Sequence, residues 1–386
     1  MKNNQQIIYL DYAATTPVDR RVIDKMQGYL GIDGIFANPA STTHALGWEA
    51  AQAVKQAREQ IAATINADPR EIVFTSGATE ANNLAIKGVM QFYQHQGRHI
   101  VTMMNEHEAV LDTCKSLQKQ GFHVTYLRPM SNGLLDLKTL ENAINDDTVL
   151  VSIMHVNNET GVTQNIKAIA ELVKSKGVFF HTDAAQSIGK LQLDVQQTPV
   201  DLMSICGHKI YAPKGIGALY VRRKPRVRLL EQINGGRHER GMRSGTLATQ
   251  QIVALGQALE LAQNEMANEQ ARIKALSDLL WQELSKLGGV SRNGENCLPN
   301  ILNVTFANVD NEALLVSCAE LALSAGSACT SATTTASHVL LSMGLSHLDA
   351  NSTVRLSIGR FTSENDIRSA ITILSNQVKR LRALRL

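Results

Sequence analysis

The alternation of short strand-like runs with longer helical stretches between residues 70 and 222 constrains the fold of this chain most. Successive units of this kind build a mostly parallel sheet with helices packed against it. Several of the runs are continuously apolar, as strands buried on both faces require. The pattern predicts an α/β protein whose sheet has seven strands, at residues 71–75, 99–103, 123–127, 148–153, 178–182, 202–205 and 218–221.

A different pattern follows the sheet. Residues 249–287 are rich in Ala, Leu, Gln and Glu, with no Gly or Pro between Gly256 and Gly288, which predicts one long helix. Beyond it, strands are predicted at 300–306 and 352–358 and helices at 312–321 and 364–384. We therefore expect a large domain of residues 16–259 and a smaller α+β domain formed by residues 1–15 and 260–386.

Composition excludes several classes of protein. The 38 Lys and Arg against 35 Asp and Glu leave a net charge of +3, too small for a protein that mainly neutralises nucleic-acid phosphates. The apolar run near the N-terminus is interrupted by Asp11, so neither a signal peptide nor a membrane-spanning helix is predicted. We expect a soluble, cytoplasmic protein without a nucleic-acid or membrane partner.

The five cysteines form no metal or redox pair. The two that are closest in sequence, Cys318 and Cys329, are 329 − 318 = 11 residues apart, which excludes a C-x-x-C motif. An odd number of cysteines fits a reducing compartment, where a single thiol can stay reactive. The sequence at this point leaves thiol chemistry open.

Three segments together point to a cofactor. Residues 74–80 follow a strand and open a helix, which suits a phosphate at the helix N-terminus but equally suits an ordinary N-cap turn. Asp183 follows a predicted strand, where it is either a ligand carboxylate or a helix cap. Lys209 ends another strand and is either a Schiff-base lysine or a surface lysine. A phosphate turn, a carboxylate and a lysine in one site are what pyridoxal phosphate requires.

The chain resembles the cysteine desulfurases of the housekeeping iron–sulfur-cluster type, in the class V branch of fold-type I pyridoxal-phosphate enzymes. The resemblance runs almost end to end. It is carried by ten ordered motifs: YLDYAATTP at 9–17, NPAS at 38–41, TSGATE at 75–80, EH at 106–107, HVNNE at 155–159, DAAQ at 183–186, GHK at 207–209, RSGT at 243–246, SAGSACTS at 324–331 and RLSIGR at 355–360.

The resemblance implies a role for each matching residue. Lys209 would bind the cofactor covalently, Asp183 would face its ring nitrogen, Gln186 its phenolic oxygen and His107 its ring face, with His107 also a candidate proton carrier. The implied phosphate ligands are Ala78, Thr79, Cys206, His208 and, from the second subunit of a homodimer, Thr246. Cys206 replaces the serine that the family usually has, and a thiol is the weaker donor. Asn158 and Arg355 would hold the substrate, L-cysteine, with Asn158 also touching the cofactor.

Cys329 is the predicted nucleophile. Seven of the eight residues in SAGSACTS are Gly, Ala, Ser or Thr, which predicts a mobile exposed loop. A buried inert thiol is the alternative, since that is the usual fate of cysteine. The resemblance implies that Cys329 takes the sulfur of L-cysteine as a persulfide, leaving alanine, and passes it on for iron–sulfur cluster assembly or other sulfur transfer such as tRNA thiolation. Transient contact of this persulfide with an iron–sulfur cluster is the only metal site expected.

The sulfur acceptor is left open. Family members continue past the position of Leu386 with a tail that helps to dock the cluster scaffold protein, so the expected partner is this scaffold or another acceptor. Two basic stretches, at 222–228 and 379–385, are either solvated faces or docking sites for acidic acceptors. The competing functions are a selenocysteine lyase or aminotransferase on the same scaffold, and a non-catalytic paralogue.

Overall fold

A computed structural model describes residues 7–326 and 336–384. Its strands are β1 (Ile8–Tyr9), β2 (Ile72–Thr75), β3 (His99–Met103), β4 (His123–Leu127), β5 (Thr148–Ser152), β6 (Phe179–Asp183), β7 (Leu202–Cys206), β8 (Gly217–Val221), β9 (Val290–Arg292), β10 (Ile301–Phe306), β11 (Leu321–Ala322) and β12 (Thr353–Ser357). Its α-helices are α1 (Arg20–Gln27), α2 (Ala45–Thr64), α3 (Ala78–Phe92), α4 (Glu108–Gln118), α5 (Leu137–Ala143), α6 (Ile166–Ser175), α7 (Thr249–Leu284), α8 (Asn311–Ser317), α9 (His338–Ser342), α10 (His347–Ala350) and α11 (Glu364–Ala383).

The main sheet has seven strands in the order β2-β8-β7-β6-β5-β3-β4. The run from β7 to β4 is parallel throughout, whereas β8 is antiparallel to both β7 and β2. Each strand lies within one residue of its predicted bounds. The prediction of a mostly parallel α/β sheet is therefore confirmed.

Two hydrophobic cores cover the two faces of this sheet because side chains alternate along each strand. On β3, Ile100 packs with residues of α3 and α4, while Val101 and Met103 pack with residues of α2, α6 and α7. Because helices cover both faces of the sheet, a ligand can approach it at the ends of the strands. The carboxyl ends of parallel strands are where such sheets bind ligands.

A third core lies in the C-terminal part. The antiparallel sheet β12-β10-β9 packs against α11 and the second half of α7, and Leu10 joins this core from the N-terminal segment. Helix α7 contributes Leu259 to a core of the large sheet and Ile273 to this third core. The boundary between the large and small domains at residue 260 remains a prediction, and the separate cores support it. Although α7 has 36 residues, no helix in the described part of the chain is both long and apolar enough to cross a membrane.

One predicted helix was too long. The segment predicted as a helix over 312–321 leaves the helical conformation after Ser317, and residues 321–322 instead form β11. Strand β11 pairs in parallel with β1, matching Ile8 with Leu321. A partner more than 300 residues away in sequence decided the conformation of this segment, and local propensity could not reveal it.

Gly217, the first residue of β8, allows the sheet to touch the turn before α3. A Cβ atom at Gly217 would lie 2.7 Å from the Gly77 Cα and closer still to the Ile205 carbonyl oxygen. Only glycine permits this approach of two backbones. The contact holds the turn at residues 76–79 against the carboxyl end of β7.

Replacing Gly217 with alanine is expected to lower the free energy of unfolding by about 1–3 kcal/mol because the added methyl overpacks this contact. Thermal unfolding measures the effect. Gly31→Ala is the matched control, since a Cβ there meets nothing within 4 Å. Equal melting temperatures for the two variants would contradict the close approach.

Candidate active site

A cavity of about 330 Å³ opens at the carboxyl ends of β6 and β7 and the N-terminus of α3. Most of the residues predicted from sequence meet there. Those that line it are Ala78, Thr79, His107, Asn158, Asp183, Gln186, Cys206, His208, Lys209 and Arg355.

The N-terminus of α3 forms an anion cradle. Gly77 occupies the N-cap position with φ 153°, and no side chain caps the helix. Backbone N–H groups of the first turn are therefore left for a ligand at the positive end of the helix dipole. The nearby Glu80 carboxylate is neutralised by Arg243, whose Nε lies 2.8 Å from Glu80 Oε1. This uncapped helix N-terminus is better suited to a phosphate than a helix N-terminus whose N–H groups are occupied by a capping side chain.

Cys206 ends β7 beside this cradle and is almost completely buried. Burial raises the pKa of its thiol, and backbone hydrogen bonds at Ala78 and His208 only partly oppose this effect. The side chain is therefore a neutral thiol at pH 7. It lies where the resemblance places a phosphate ligand.

His208 adjoins the same region. Its Nδ1 lies 3.1 Å from Thr15 Oγ1. Burial, together with the charge of Lys209 and other nearby lysines, lowers the pKa of His208 to about 4. A neutral imidazole can donate a hydrogen bond to a phosphate without adding a second positive charge beside Lys209.

Asp183, the last residue of β6, accepts two hydrogen bonds. Its Oδ2 accepts from Asn82 Nδ2 at 2.7 Å, and its Oδ1 accepts from the backbone N–H of Ala185 at 2.9 Å. The second bond is a local contact of the kind expected if Asp183 were a helix cap, which was the alternative to a ligand carboxylate. Asp183 makes this contact and also lines the cavity. Both bonds fix the direction of the carboxylate.

Asn82 was missed by the sequence analysis. It is fully buried on α3, one turn after the cradle, among apolar neighbours such as Ala81 and Leu84. A polar residue on the buried face of a helix needs a partner. That pattern was the signal that could have identified it.

His107 caps helix α4 with its own ring. Its Nδ1 accepts a hydrogen bond from the Ala109 backbone N–H at 3.0 Å. This contact requires an unprotonated Nδ1, so the neutral ring carries its proton on Nε2. Burial, followed by the charge of Lys209, lowers the pKa of His107. Taking up a second proton would cost the ring its helix cap.

Arg355 is buried in the centre of β12, with 1% of its surface exposed. Its Nη1 donates to the Asn158 backbone oxygen at 2.8 Å, and its Nη2 donates to Asp11 Oδ1 at 2.8 Å. Its Nε has no partner in the described structure. An unpaired buried donor costs about 1–3 kcal/mol, so the guanidinium is held in this place at some cost to stability.

These groups fit pyridoxal phosphate. One cavity brings together a helix N-terminus for the phosphate, the Asp183 carboxylate for a ring nitrogen and the Lys209 amine for an aldehyde. Lys209 makes no side-chain hydrogen bond within residues 7–326 and 336–384, so no protein group competes for its nitrogen. In the same part of the chain, no group of three or more His, Cys, Asp or Glu could hold a metal ion.

Two predicted residues are not in this cavity. Thr246 is exposed and does not line it. Cys329, including its expected cluster contact, lies outside the described residues. The chain before it stays close to the site, since the Arg355 backbone N–H donates to the Ser324 oxygen at 2.7 Å.

Comparison with known proteins identifies the relatives of the chain. The family described as aminotransferase class-V matches residues 8–369. Cysteine desulfurase IscS of Klebsiella pneumoniae subsp. pneumoniae is 56% identical over 379 residues, covering 98% of this chain and 94% of that protein. Cysteine desulfurase IscS of Shewanella sp. strain MR-4 is 57% identical over the same coverage.

Solved structures agree with the fold. A NifS-like protein superposes with a TM-score of 0.90 at 34% identity, covering 97% of this chain and all of the other. A structure entitled SspA in complex with cysteine superposes with a TM-score of 0.82 at 41% identity, covering 92% and 99% of the two chains. The fold-type I assignment is confirmed.

The cap on α4 predicts the protonation state of His107. In the cofactor-loaded protein, nitrogen-15 NMR of labelled histidine should show Nδ1 unprotonated and Nε2 protonated at pH 7, because Nδ1 accepts the Ala109 N–H. The ring should remain neutral below pH 6.5, the ordinary histidine pKa. His107→Asn, which keeps a capping side chain, assigns the signal. A doubly protonated ring at pH 7 would contradict this geometry.

Proposed function

Since the chain belongs to the class-V aminotransferase family and is a pyridoxal-phosphate-dependent cysteine desulfurase of the iron–sulfur-cluster type, we propose that the cavity at the ends of β6 and β7 is its active site. The single observation that carries this assignment is the meeting of the α3 N-terminus, Asp183, Lys209 and Arg355 in one cavity. The substrate is L-cysteine, and the sulfur passes to acceptor proteins.

Different residues of the cavity are assigned to different parts of the cofactor. When bound, pyridoxal phosphate supplies the electron sink for loss of a proton from the substrate Cα. Lys209 would hold it covalently, Asp183 would face its ring nitrogen, Gln186 its phenolic oxygen, and His107 its ring. The phosphate would be held by residues of the cradle and its neighbours: Ala78, Thr79, Cys206 and His208.

Arg355 and Asn158 orient the substrate. Arg355 is already fixed at both Nη atoms, by the Asn158 carbonyl and by Asp11, so its position does not depend on the ligand. The N–H groups of its two Nη atoms that these contacts leave unused suit a carboxylate, which a guanidinium can bind in a bidentate manner. The amine of Lys209, which lines the same cavity, would be the base that accepts the Cα proton.

His107 contributes to the site mainly as a neutral ring. With Nδ1 occupied by the cap of α4, Nε2–H can donate a hydrogen bond into the cavity. A role in carrying protons requires the ring to release the Ala109 N–H first. Stacking on the cofactor and hydrogen-bond donation need no such change.

Cys329 performs the sulfur transfer. Its thiolate forms an S–S bond with the substrate sulfur while the C–S bond of the substrate breaks. The electron pair of the broken bond stays with the substrate, which gains a proton on the way to alanine. The terminal sulfur of the persulfide then moves by thiol exchange to an acceptor. We assign this residue from its motif alone.

We also propose that the active protein is a homodimer in which Thr246 completes the phosphate site of the partner subunit. Thr246 is exposed in a single chain, and Arg243 of the same motif already holds Glu80 at the cradle. Large apolar side chains are exposed between residues 30 and 48, where a subunit interface would cover them: Leu30, Ile32, Phe36, Leu46 and Trp48.

The acceptor we propose is an iron–sulfur scaffold protein in the cytoplasm, with an acidic docking surface. The two basic stretches do not contribute equally. Arg222 donates to the Val195 and Val200 oxygens, and Arg382 donates to backbone oxygens that include Ala307. These two arginines serve the fold. Arg223 pairs with Asp68, and Arg228 lies over the Phe92 ring. The residues left for docking in the described chain are Lys224, Arg226, Lys379 and Arg380. The four free thiols in the described chain fit a reducing compartment.

The assignment of Cys329 is tested by Cys329→Ala. The variant should bind the cofactor and L-cysteine but form no protein persulfide and release sulfide at least 100-fold more slowly, because the attacking thiol is absent. Mass spectrometry detects the persulfide as a 32 Da addition in the wild type. Cys297→Ala is the matched control and should keep full activity. Persulfide formation on Cys329→Ala would overturn the assignment.

A further inference from the structure

Lys190 is a lysine beside the active site for which the catalytic scheme gives no role. It follows β6 on the helical turn that carries Gln186, where the Ile188 N–H donates to the Ala184 oxygen and the Leu191 N–H to the Ser187 oxygen. This turn brings residues four apart onto one side. The Lys190 Nζ accordingly donates a hydrogen bond to Gln186 Oε1 at 3.2 Å.

The Lys190 Nζ has no ion pair within residues 7–326 and 336–384, since no carboxylate oxygen there lies within 4.0 Å of it. Lys190 and Glu269 line a small cavity separate from the active-site cavity, but the Glu269 carboxylate is engaged by Arg360 Nη2 at 3.1 Å and by the Tyr211 hydroxyl at 3.4 Å. Burial, then repulsion from Lys209, lowers the pKa of Lys190 to about 7, against the attraction of Glu269. A lysine kept in so unfavourable a place is a candidate for function.

The contacts of Gln186 show what this lysine does. Gln186 Nε2 donates to the Ala13 backbone oxygen at 2.8 Å, while Oε1 accepts from Lys190. A carbonyl oxygen can only accept, and an ammonium can only donate. While Lys190 is protonated, the two contacts therefore permit a single orientation of the amide. One N–H of Nε2 remains for the active-site cavity, which Gln186 lines.

We propose that Lys190 is a positioning residue that holds the Gln186 oxygen away from the cofactor, so that the amide nitrogen donates to the cofactor's phenolic oxygen. The inference rests on the proposed roles of Gln186 and Lys209. Without Lys190, only the Ala13 oxygen among the described contacts would oppose a turned amide, in which Oε1 faces the ionised phenolic oxygen and two acceptors meet. Gln270 fixes the turn from outside, since its Nε2 donates to the Lys190 backbone oxygen.

The test is a pH titration of the visible absorbance of the cofactor-loaded protein. Donation from Gln186 stabilises the ionised phenolic oxygen, and this favours loss of the proton shared with the Lys209 nitrogen. Lys190→Met should therefore raise the midpoint of the titration by about 1–2 pH units, the effect of one hydrogen bond to a charged group. Methionine keeps the length of the side chain, and removing an unpaired buried charge is not expected to unfold the protein. Lys190→Leu serves as a second variant.

Two further variants separate positioning from a direct effect of charge. Lys190→Arg, which keeps a donor, should restore the midpoint to within about 0.2 pH unit of the wild type, a small part of that hydrogen-bond effect. In a Gln186→Ala background, Lys190→Met should cause no further shift because the residue it orients is gone. An unchanged midpoint in Lys190→Met, or an equal shift in both backgrounds, would overturn the inference.

A control separates the inference from the proposed function. Lys209→Ala should lose the absorbance of the lysine-bound cofactor altogether. Retention of that absorbance would overturn the proposed assignment of Lys209, and the role of Lys190 with it. Its loss, together with an unchanged midpoint in Lys190→Met, would overturn the role of Lys190 alone.

Discussion

The parallel pairing of β6 with β7 is the constraint on which the site depends. The register places Asp183 opposite Ser204, so the carboxyl ends of both strands face the same edge of the sheet. Neighbouring strands lie about 4.8 Å apart, and the residues that follow them are therefore brought within reach of one ligand. The turn before α3 joins this edge because glycine at 217 lets it pack directly on β8. The chemistry of a desulfurase is thus assembled from residues spread along the chain, from Ala78 on α3 through Asp183 and Lys209 to Arg355 on β12.

Burial decides which of these groups carry charge. It lowers the pKa of His107 and His208 and raises that of Cys206, so two imidazoles and a thiol around the cofactor site are neutral. The charge of the site is left to the Asp183 carboxylate, the Arg355 guanidinium and the lysines. Each fixed group has its direction set by a neighbour: Asn82 holds Asp183, and Asp11 holds Arg355. Gln186 is oriented in the same way by Lys190, which differs from the other orienting residues in that it is itself a titratable donor.

The strands of the large sheet could be predicted from sequence because they are short runs rich in apolar, β-branched or aromatic residues, several of them continuously apolar, and this is a local signal. The principal site residues could be predicted only because the motifs resemble a known family. Without that resemblance, Asp183 could equally have been a helix cap and Lys209 a surface lysine. What local reasoning missed depends on distant contacts. Strand β11 forms because β1 pairs with it, and Asn82 matters because Asp183 approaches from a different strand. Lys190 and Gln186 are only four residues apart in sequence. The orientation of the Gln186 amide also depends on the distant Ala13, whose backbone oxygen accepts a hydrogen bond from Gln186 Nε2.

The central claim is that this cavity removes sulfur from L-cysteine. The most direct measurement incubates the purified, cofactor-loaded protein with L-cysteine and a thiol reductant and quantifies alanine, sulfide and keto acid over the same interval. The account predicts alanine and sulfide in equal amounts, because each C–S bond broken releases one of each. Formation of pyruvate or a sulfur-containing keto acid without matching alanine would contradict it.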